Sequence, residues 1–343
     1  MISPESSCST TSTPPATLLK PLILTFFRFN FIGSEGKVTQ QGCRPSSNKC
    51  PGKGGQDAIN GANWCNGQPA VSVTYDKAGT GYIDVKSNKS IVGVGKAGVI
   101  RGKGLRIANG AKNVIIQNVH ITELNPQYIW GGDAITLAGT DLIWIDHVKI
   151  SLIGRQHIVA GYAASNRVTI SNTEFDGSTS WSASCDNHHY WALLLIGSGD
   201  KITFQGNYIH HTSGRSPKVG GTGSGTLLHA VNNLWVDNTG HAFSIAENEN
   251  GRVIAEGNVM QTVKSPILDG AKFLFSAPNT STNAACKTPL GHVCEVNSLT
   301  GSGAFSGSLT SISNFSGGNV AVVAASKVAQ SVKANAGVGK SGF

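Results

Sequence analysis

Short apolar runs alternate with polar positions along most of this chain, and they close on Asn or Gly. Seven stretches share the form: Asn88-KSIVGV, Asn113-VIIQNVHI, Asp141-LIWIDHVKI, Asn166-RVTISNTEF, Asp200-KITFQGNYI, Thr226-LLHAVNNLW and Gly251-RVIAEGNVM. Their starts are separated by 25, 28, 25, 34, 26 and 25 residues. The runs are β-branched and too short for helices, which need apolar residues three and four apart through ten or more positions. A period in this range predicts strands stacked turn on turn as a parallel β-solenoid, with Ile, Val and Leu filling the bore. A β-sandwich with coincidental spacing is the alternative. Asparagines recurring at one corner are expected to bond side chain to side chain up the stack. The 34-residue step from Asn166 to Asp200 predicts a loop on one face, and Cys185 lies inside it. Met1 to Ala16 is rich in Ser, Thr and Pro, which predicts disorder. The chain is therefore divided into an N-terminal segment, 1–22, and one solenoid domain, 23–343.

Composition fits many short strands joined by turns: 43 glycines, and only 13% charged residues among 343. The net charge of +8 favours polyanionic partners. Nucleic acid is disfavoured among these, because the basic residues are scattered through the repeats and form no stripe. No segment is long and apolar enough to predict a membrane span. Seven cysteines occur with no CxxC pair, which predicts three disulfides, one leftover thiol and an oxidising compartment. Leu18 to Phe27 is apolar but interrupted by Lys20 and Pro21, so secretion is inferred from the cysteines and not from a legible signal peptide. Asn88, Asn279 and Asn314 head glycosylation sequons.

Three stretches break the repeat with charge, Gly and Trp: Trp130-GGDAI, Ile153-GRQH and His211-TSGRSPK. They present Asp133, Arg155, Arg215 and Lys218. Arg155 and Arg215 are 60 residues apart, compatible with about two turns on this period. Taken singly, each charge fits a solvated loop or a stack-end salt bridge; three clustered cations with one nearby carboxylate fit that reading less well. Trp64, Trp130, Trp181, Tyr190 and Trp191 are candidates either for a sugar-binding cleft or for core packing. The histidines, among them His147, His157, His188, His189, His210, His211 and His229, match no common metal-ligand spacing and are assigned structural roles.

At these residues a family resemblance appears. Arg101-GKGLRI, WGGDAI, WIDHV, IGRQH, YWALLL, NYIHHTSGRSPK and GHAF together resemble the fungal pectin lyases of polysaccharide lyase family 1, from about Gly33 to the C-terminus. The resemblance implies an all-β, single-domain, right-handed parallel β-helix with a substrate cleft on one face. It implies a secreted monomer that cleaves methyl-esterified polygalacturonate (pectin) by β-elimination, with no cofactor and no metal. Arg215 would be catalytic, with Asp133, Arg155 and Lys218 as cleft neighbours. Calcium-dependent pectate lyases carry carboxylate ligands after WIDH, where this chain has Arg155. The resemblance also implies disulfides Cys43–Cys65, Cys50–Cys185 and Cys286–Cys294, with Cys8 free. Three features depart from the family: Ser46 and Leu193-Leu194 stand where aromatics are usual, and Met1 to Leu22 does not match the family's capping segment.

Elimination removes the proton at C5, next to the C6 carbonyl, and expels the 4-O-linked chain. A methyl ester makes that proton more acidic than a carboxylate does, and fixed cations can stabilise the developing enolate. Guanidinium has a pKa of roughly 12.5–13.8. Cations about 4 Å away at an effective dielectric of 20 would repel it by about 4 kcal/mol, or about three pKa units. Asp133 is expected to orient the cations, with a role as base the lesser alternative. A calcium-dependent pectate lyase, a polygalacturonase and a non-catalytic polysaccharide binder are the rival readings.

Overall fold

The computed structural model describes residues 22–24, 28–221, 223–245, 250–316 and 320–342. The seven repeat segments supply seven strands of one nine-stranded parallel sheet, from Lys89–Gly93 through Arg252–Glu256. The register stacks like on like. Ile91, Ile116, Ile145, Ile170, Phe204, Ala230 and Ala255 lie side by side up the bore, and all are buried. The architecture is a right-handed parallel β-helix. Each full turn adds a strand to a second and to a third parallel sheet. The second holds His120–Leu124, Lys149–Ile153, Glu174–Asp176 and Tyr208–Thr212; the third holds Ile135–Ala138, Ile158–Ala160, Leu193–Leu195 and Lys218–Val219. Leu234–Ile245 runs without a break from the second into the third.

Between the first and second sheets the chain turns sharply through one left-handed residue per turn: Asn118, His147, Asn172, Gly206, Asn232 and Gly257. Asn tolerates this conformation through local hydrogen bonding, and Gly has no Cβ to clash. The residue that follows builds the expected ladder. Asn207 donates its backbone and side-chain N–H groups to Asn233 Oδ1, both at 2.9 Å, Asn233 does the same to Asn258, and Asn258 to Asn297. Each of these three amides also donates to a backbone carbonyl, of Ile170, Phe204 and Ala230 respectively. The buried amide donors are thus fully used, as burial demands.

Two parts were absent from the sequence reading. Lys37–Cys43 pairs antiparallel with Ala70–Asp76, and together with Asp57–Ala58 and Tyr128–Ile129 they form a small sheet beside the stack. Helix Ala325–Asn335 packs Val328, Val332 and Ala336 against Leu234 and Val259. All three expected disulfides are formed. The disorder predicted for Met1–Ala16, the free thiol of Cys8 and the missing cap fall in residues 1–21, outside the described residues; Leu22–Leu24 pairs with Ile91–Gly93. No helix among the described residues is long and apolar enough to cross a membrane.

Candidate active site

The charged stretches all lie in the connections from the second sheet to the third. Residues 125–134, 154–157, 177–192 and 213–217 are those connections in four successive turns. Extending the register of the third sheet by two residues places Asp133, Gln156, Trp191, Arg215 and His241 in one row. Arg155 belongs to the row beside it, with Tyr190 and Gly214. Arg155 and Arg215 are therefore two rungs apart, the two turns expected from their spacing.

Asp133 is 5% exposed. Its Oδ1 accepts the Gln156 backbone N–H at 2.8 Å, and its Oδ2 lies 3.6 Å from Arg155 Nη1. Burial pushes the Asp133 carboxyl above its ordinary value, against the opposing pull of Arg155 and of the Gln156 N–H. The Arg155 guanidinium lies 3.6 Å from the centre of the Trp130 ring, a close cation–π contact. Arg215 sits in the left-handed region (φ 45°). Its guanidinium is 4.7 Å from the Trp191 ring and 5.8 Å from Tyr190. Lys218 is half-buried on the third sheet, between Leu194 and Ser244 in register.

An aromatic rung thus separates the two arginines. Their backbones are about 10 Å apart at the usual strand spacing of about 4.8 Å. Two unit charges at that separation, in a dielectric of 20, repel by about 1.7 kcal/mol. This is less than the value for cations in contact.

Trp64, Trp130 and Trp191 pack together over Cys43, Ala58 and Ile129, while Tyr190 meets Trp191 edge-on at 4.9 Å. Gly61 makes the approach of the small sheet possible, since a Cβ there would meet the Trp130 ring at 2.6 Å. Gly214 does the same for Tyr190, at 2.5 Å. Trp181 is different: 37% exposed, on the 177–192 connection, and outside this aromatic cluster. The Cys50–Cys185 disulfide ties that connection to the small sheet's long loop. Leu193, one of the departures from the family, is core, and Leu194 packs with Val159 and Ile196.

A cavity of 390 Å³ opens between the small sheet and the stack, lined by Asp133, Arg155, Trp130, Tyr82, Tyr75 and Asn60 among others. Three further residues brace it that sequence reasoning gave no site role. Gln56 accepts the Trp191 indole N–H and donates to the carbonyls of Pro126 and Gly154. His189 Nε2 bonds the Arg155 carbonyl at 2.7 Å, and burial holds the ring neutral, with a pKa of about 4. His241 Nε2 accepts the Arg215 backbone N–H at 3.1 Å; burial keeps the ring below the ordinary histidine value against the pull of Asp269, with Arg215 adding to the lowering. The GHAF text containing His241 was the only signal available for it.

The pectate lyase family model matches residues 58–341. The chain belongs to the pectate lyase family. It is 57% identical over 328 residues to a protein named probable pectin lyase F from Aspergillus niger, covering 94% of this chain and 68% of that one. It is 55% identical over 322 residues to pectin lyase B of Emericella nidulans, covering 91% and 82%. A pectate lyase of Bacillus sp. N165, solved with trigalacturonate, shares the fold with a TM-score of 0.52 at 22% identity, over 75% of this chain and 77% of that one. The resemblance read from the motifs stands. Calcium, the metal that the resemblance sets against this chain's Arg155, takes about 6–8 oxygen ligands. Among the described residues, Asp133 is the one carboxylate lining the cavity, and a guanidinium stands 3.6 Å from it. That donor set does not fit calcium.

Proposed function

We propose that this protein is a pectin lyase, which cleaves methyl-esterified (1→4)-linked galacturonan within the chain by β-elimination. The observation that carries the reading is the Arg155 guanidinium beside Asp133, in a cavity where a metal-dependent relative would gather carboxylates. The relatives named pectin lyase support the same substrate. Arg155, oriented by Asp133 and flattened on Trp130, supplies positive charge to the C6 oxygen as the enolate develops. A neutral fraction of Arg215 takes the C5 proton. The electron pair of that C–H bond becomes the C4–C5 double bond, the C4–O bond breaks, and the departing oxygen takes a proton from water. Lys218, on the next edge of the same face, adds to the cationic field. Trp64, Trp130, Tyr190 and Trp191 present apolar faces to sugar rings and methyl esters; Trp181 would meet a chain extending beyond the cavity.

The ester matters because it makes the C5 proton more acidic than a carboxylate does, so that fixed cations suffice to stabilise the enolate. The three disulfides support action outside the cell. The test is ultraviolet absorbance of unsaturated product from highly methylated pectin and from de-esterified pectate, each with and without a calcium chelator. Product from methylated pectin, unchanged by chelator, is expected. Product from pectate alone, lost with chelator, would overturn the reading. Arg215→Lys should shift the rising limb of the pH–rate profile, which follows the deprotonated fraction of the base; full activity with an unmoved profile would remove Arg215 from the base role.

A further inference from the structure

Outside the cleft, the outer face of the second sheet carries a cluster that the proposed elimination does not use. In the strand Tyr208–Thr212 the left-handed backbone at His211 (φ 53°) turns adjacent histidines to the same side. Their Nδ1 atoms are 2.8 Å apart. Each ring presents its other nitrogen to a carboxylate: His210 Nε2 lies 3.3 Å from Glu174 Oε1, and His211 Nε2 lies 3.5 Å from Asp237 Oδ2. An ionised carboxylate only accepts hydrogen bonds, which draws the His210 proton to Nε2; Asp237 Oδ2 is shared between His211 Nε2 and His188 Nε2, the latter at 3.2 Å. With the Nε2 tautomer at His211 as well, two Nδ1 lone pairs face each other across 2.8 Å, an arrangement that a cation between them would satisfy.

We propose that His210, His211 and Asp176 form a binding site for an imidazole-preferring divalent transition metal such as zinc(II). The ligand atoms of the three residues lie within 4.8 Å of one another, and Asp176 Oδ1 is 3.8 Å from His210 Nδ1. Tetrahedral zinc–nitrogen bonds of about 2.0–2.1 Å place two ligating nitrogens about 3.3 Å apart, so the rings would part by about 0.5 Å to take the ion. Two imidazoles and one carboxylate match the ligand preferences of this metal class and leave positions for water. The outward partners repeat the carboxylate–histidine–metal arrangement that fixes a ligand's tautomer and raises its basicity, once through Glu174 and once through Asp237. Lys149 Nζ holds the other Asp176 oxygen, Oδ2, at 3.0 Å, so Oδ1 is the oxygen turned to the ion. His211, whose side chain is 43% exposed, provides the way in. Histidine spacing along the chain hides such a site, because two adjacent residues rarely ligate from one strand.

Cobalt(II) titrated into the chelator-treated full-length protein tests this by visible absorption, a readout independent of any lyase activity. Saturable d–d bands at one equivalent are expected, displaced by zinc(II). His211→Ala should abolish them while circular dichroism stays unchanged. Asp237→Asn, which leaves every ligand in place, should weaken binding about 10- to 100-fold. A featureless cobalt titration of the wild-type protein would mean that only a shared proton lies between the rings, and would overturn the site. So would wild-type affinity in His211→Ala.

Discussion

The two edges of the second sheet obey opposite rules. At its entry, turn after turn repeats one left-handed corner, and buried Asn207, Asn233 and Asn258 bond in a ladder that ends on half-buried Asn297. At its exit, no two connections are alike, and Asp133, Arg155, Trp191 and Arg215 come from four of them. The corner spends its polar groups on the neighbouring turn. Asp133 and Arg155 turn theirs toward a cavity, and Trp191 and Arg215 follow on the next two rungs. Repetition holds the stack together and irregularity supplies the chemistry, so the same kind of polar residue has different consequences at the two edges.

Breaking each edge in turn should separate these roles. Arg155→Ala is expected to lower kcat by about 10²–10³, the scale of losing a preorganised charge at a developing anion. Product absorbance with circular dichroism as control checks it. Asn233→Ala should do the reverse. It strips Asn207 of its acceptor and Asn258 of one of its two Asn233 donors, the backbone N–H remaining, and costs about 2–4 kcal/mol in denaturant unfolding, with activity per folded molecule retained. Comparable kcat losses from the two variants would erase the distinction.

Cys50→Ser with Cys185→Ser releases the exit loop alone. A loss of about 2–4 kcal/mol is expected, with a raised KM marking the cleft as the part that loosened.

Acid should also resolve the edges. Buried His189 has a folded value of about 4 against 6.5, so the stability it contributes is full above 6.5 and is lost as pH falls toward 4. At the corner, burial raises the Asp146 pKa, but hydrogen bonds from His147, Ser171, Gln117 and Asn172 bring it down to about 2. Its contribution is present above 3.8 and lost as pH falls to about 2. Melting temperature against pH should therefore fall in two stages, with His189→Gln softening the first and Asp146→Asn the second. The smallest effect is expected from Trp181→Ala, which should change KM by no more than about threefold, since its ring lies outside the aromatic cluster.

The corner was legible in the sequence because it is local and repeated. All seven segments became first-sheet strands, and Asn near their ends became the ladder. The exit was legible only through the resemblance, since Asp133, Arg155 and Arg215 read singly as loop charges. What escaped was non-local. The small sheet over Trp130 depends on pairing Lys37–Cys43 with Ala70–Asp76, and neither strand shares the repeat. His241 braces Arg215 across a turn, a relation no spacing announces. The final helix carried a signal that went unread: Val328 and Val332, four apart, are its buried stripe.

Residues 154–157 suffice for one exit connection and 177–192 fill the next, yet Ile158 and Leu193 remain side by side in the third sheet. Chain length outside is uncoupled from alignment inside. A lineage can therefore rewrite its specificity by insertion and deletion, one loop at a time, without renegotiating the scaffold; a protein engineer grafting foreign peptide at 177–192 inherits the same freedom.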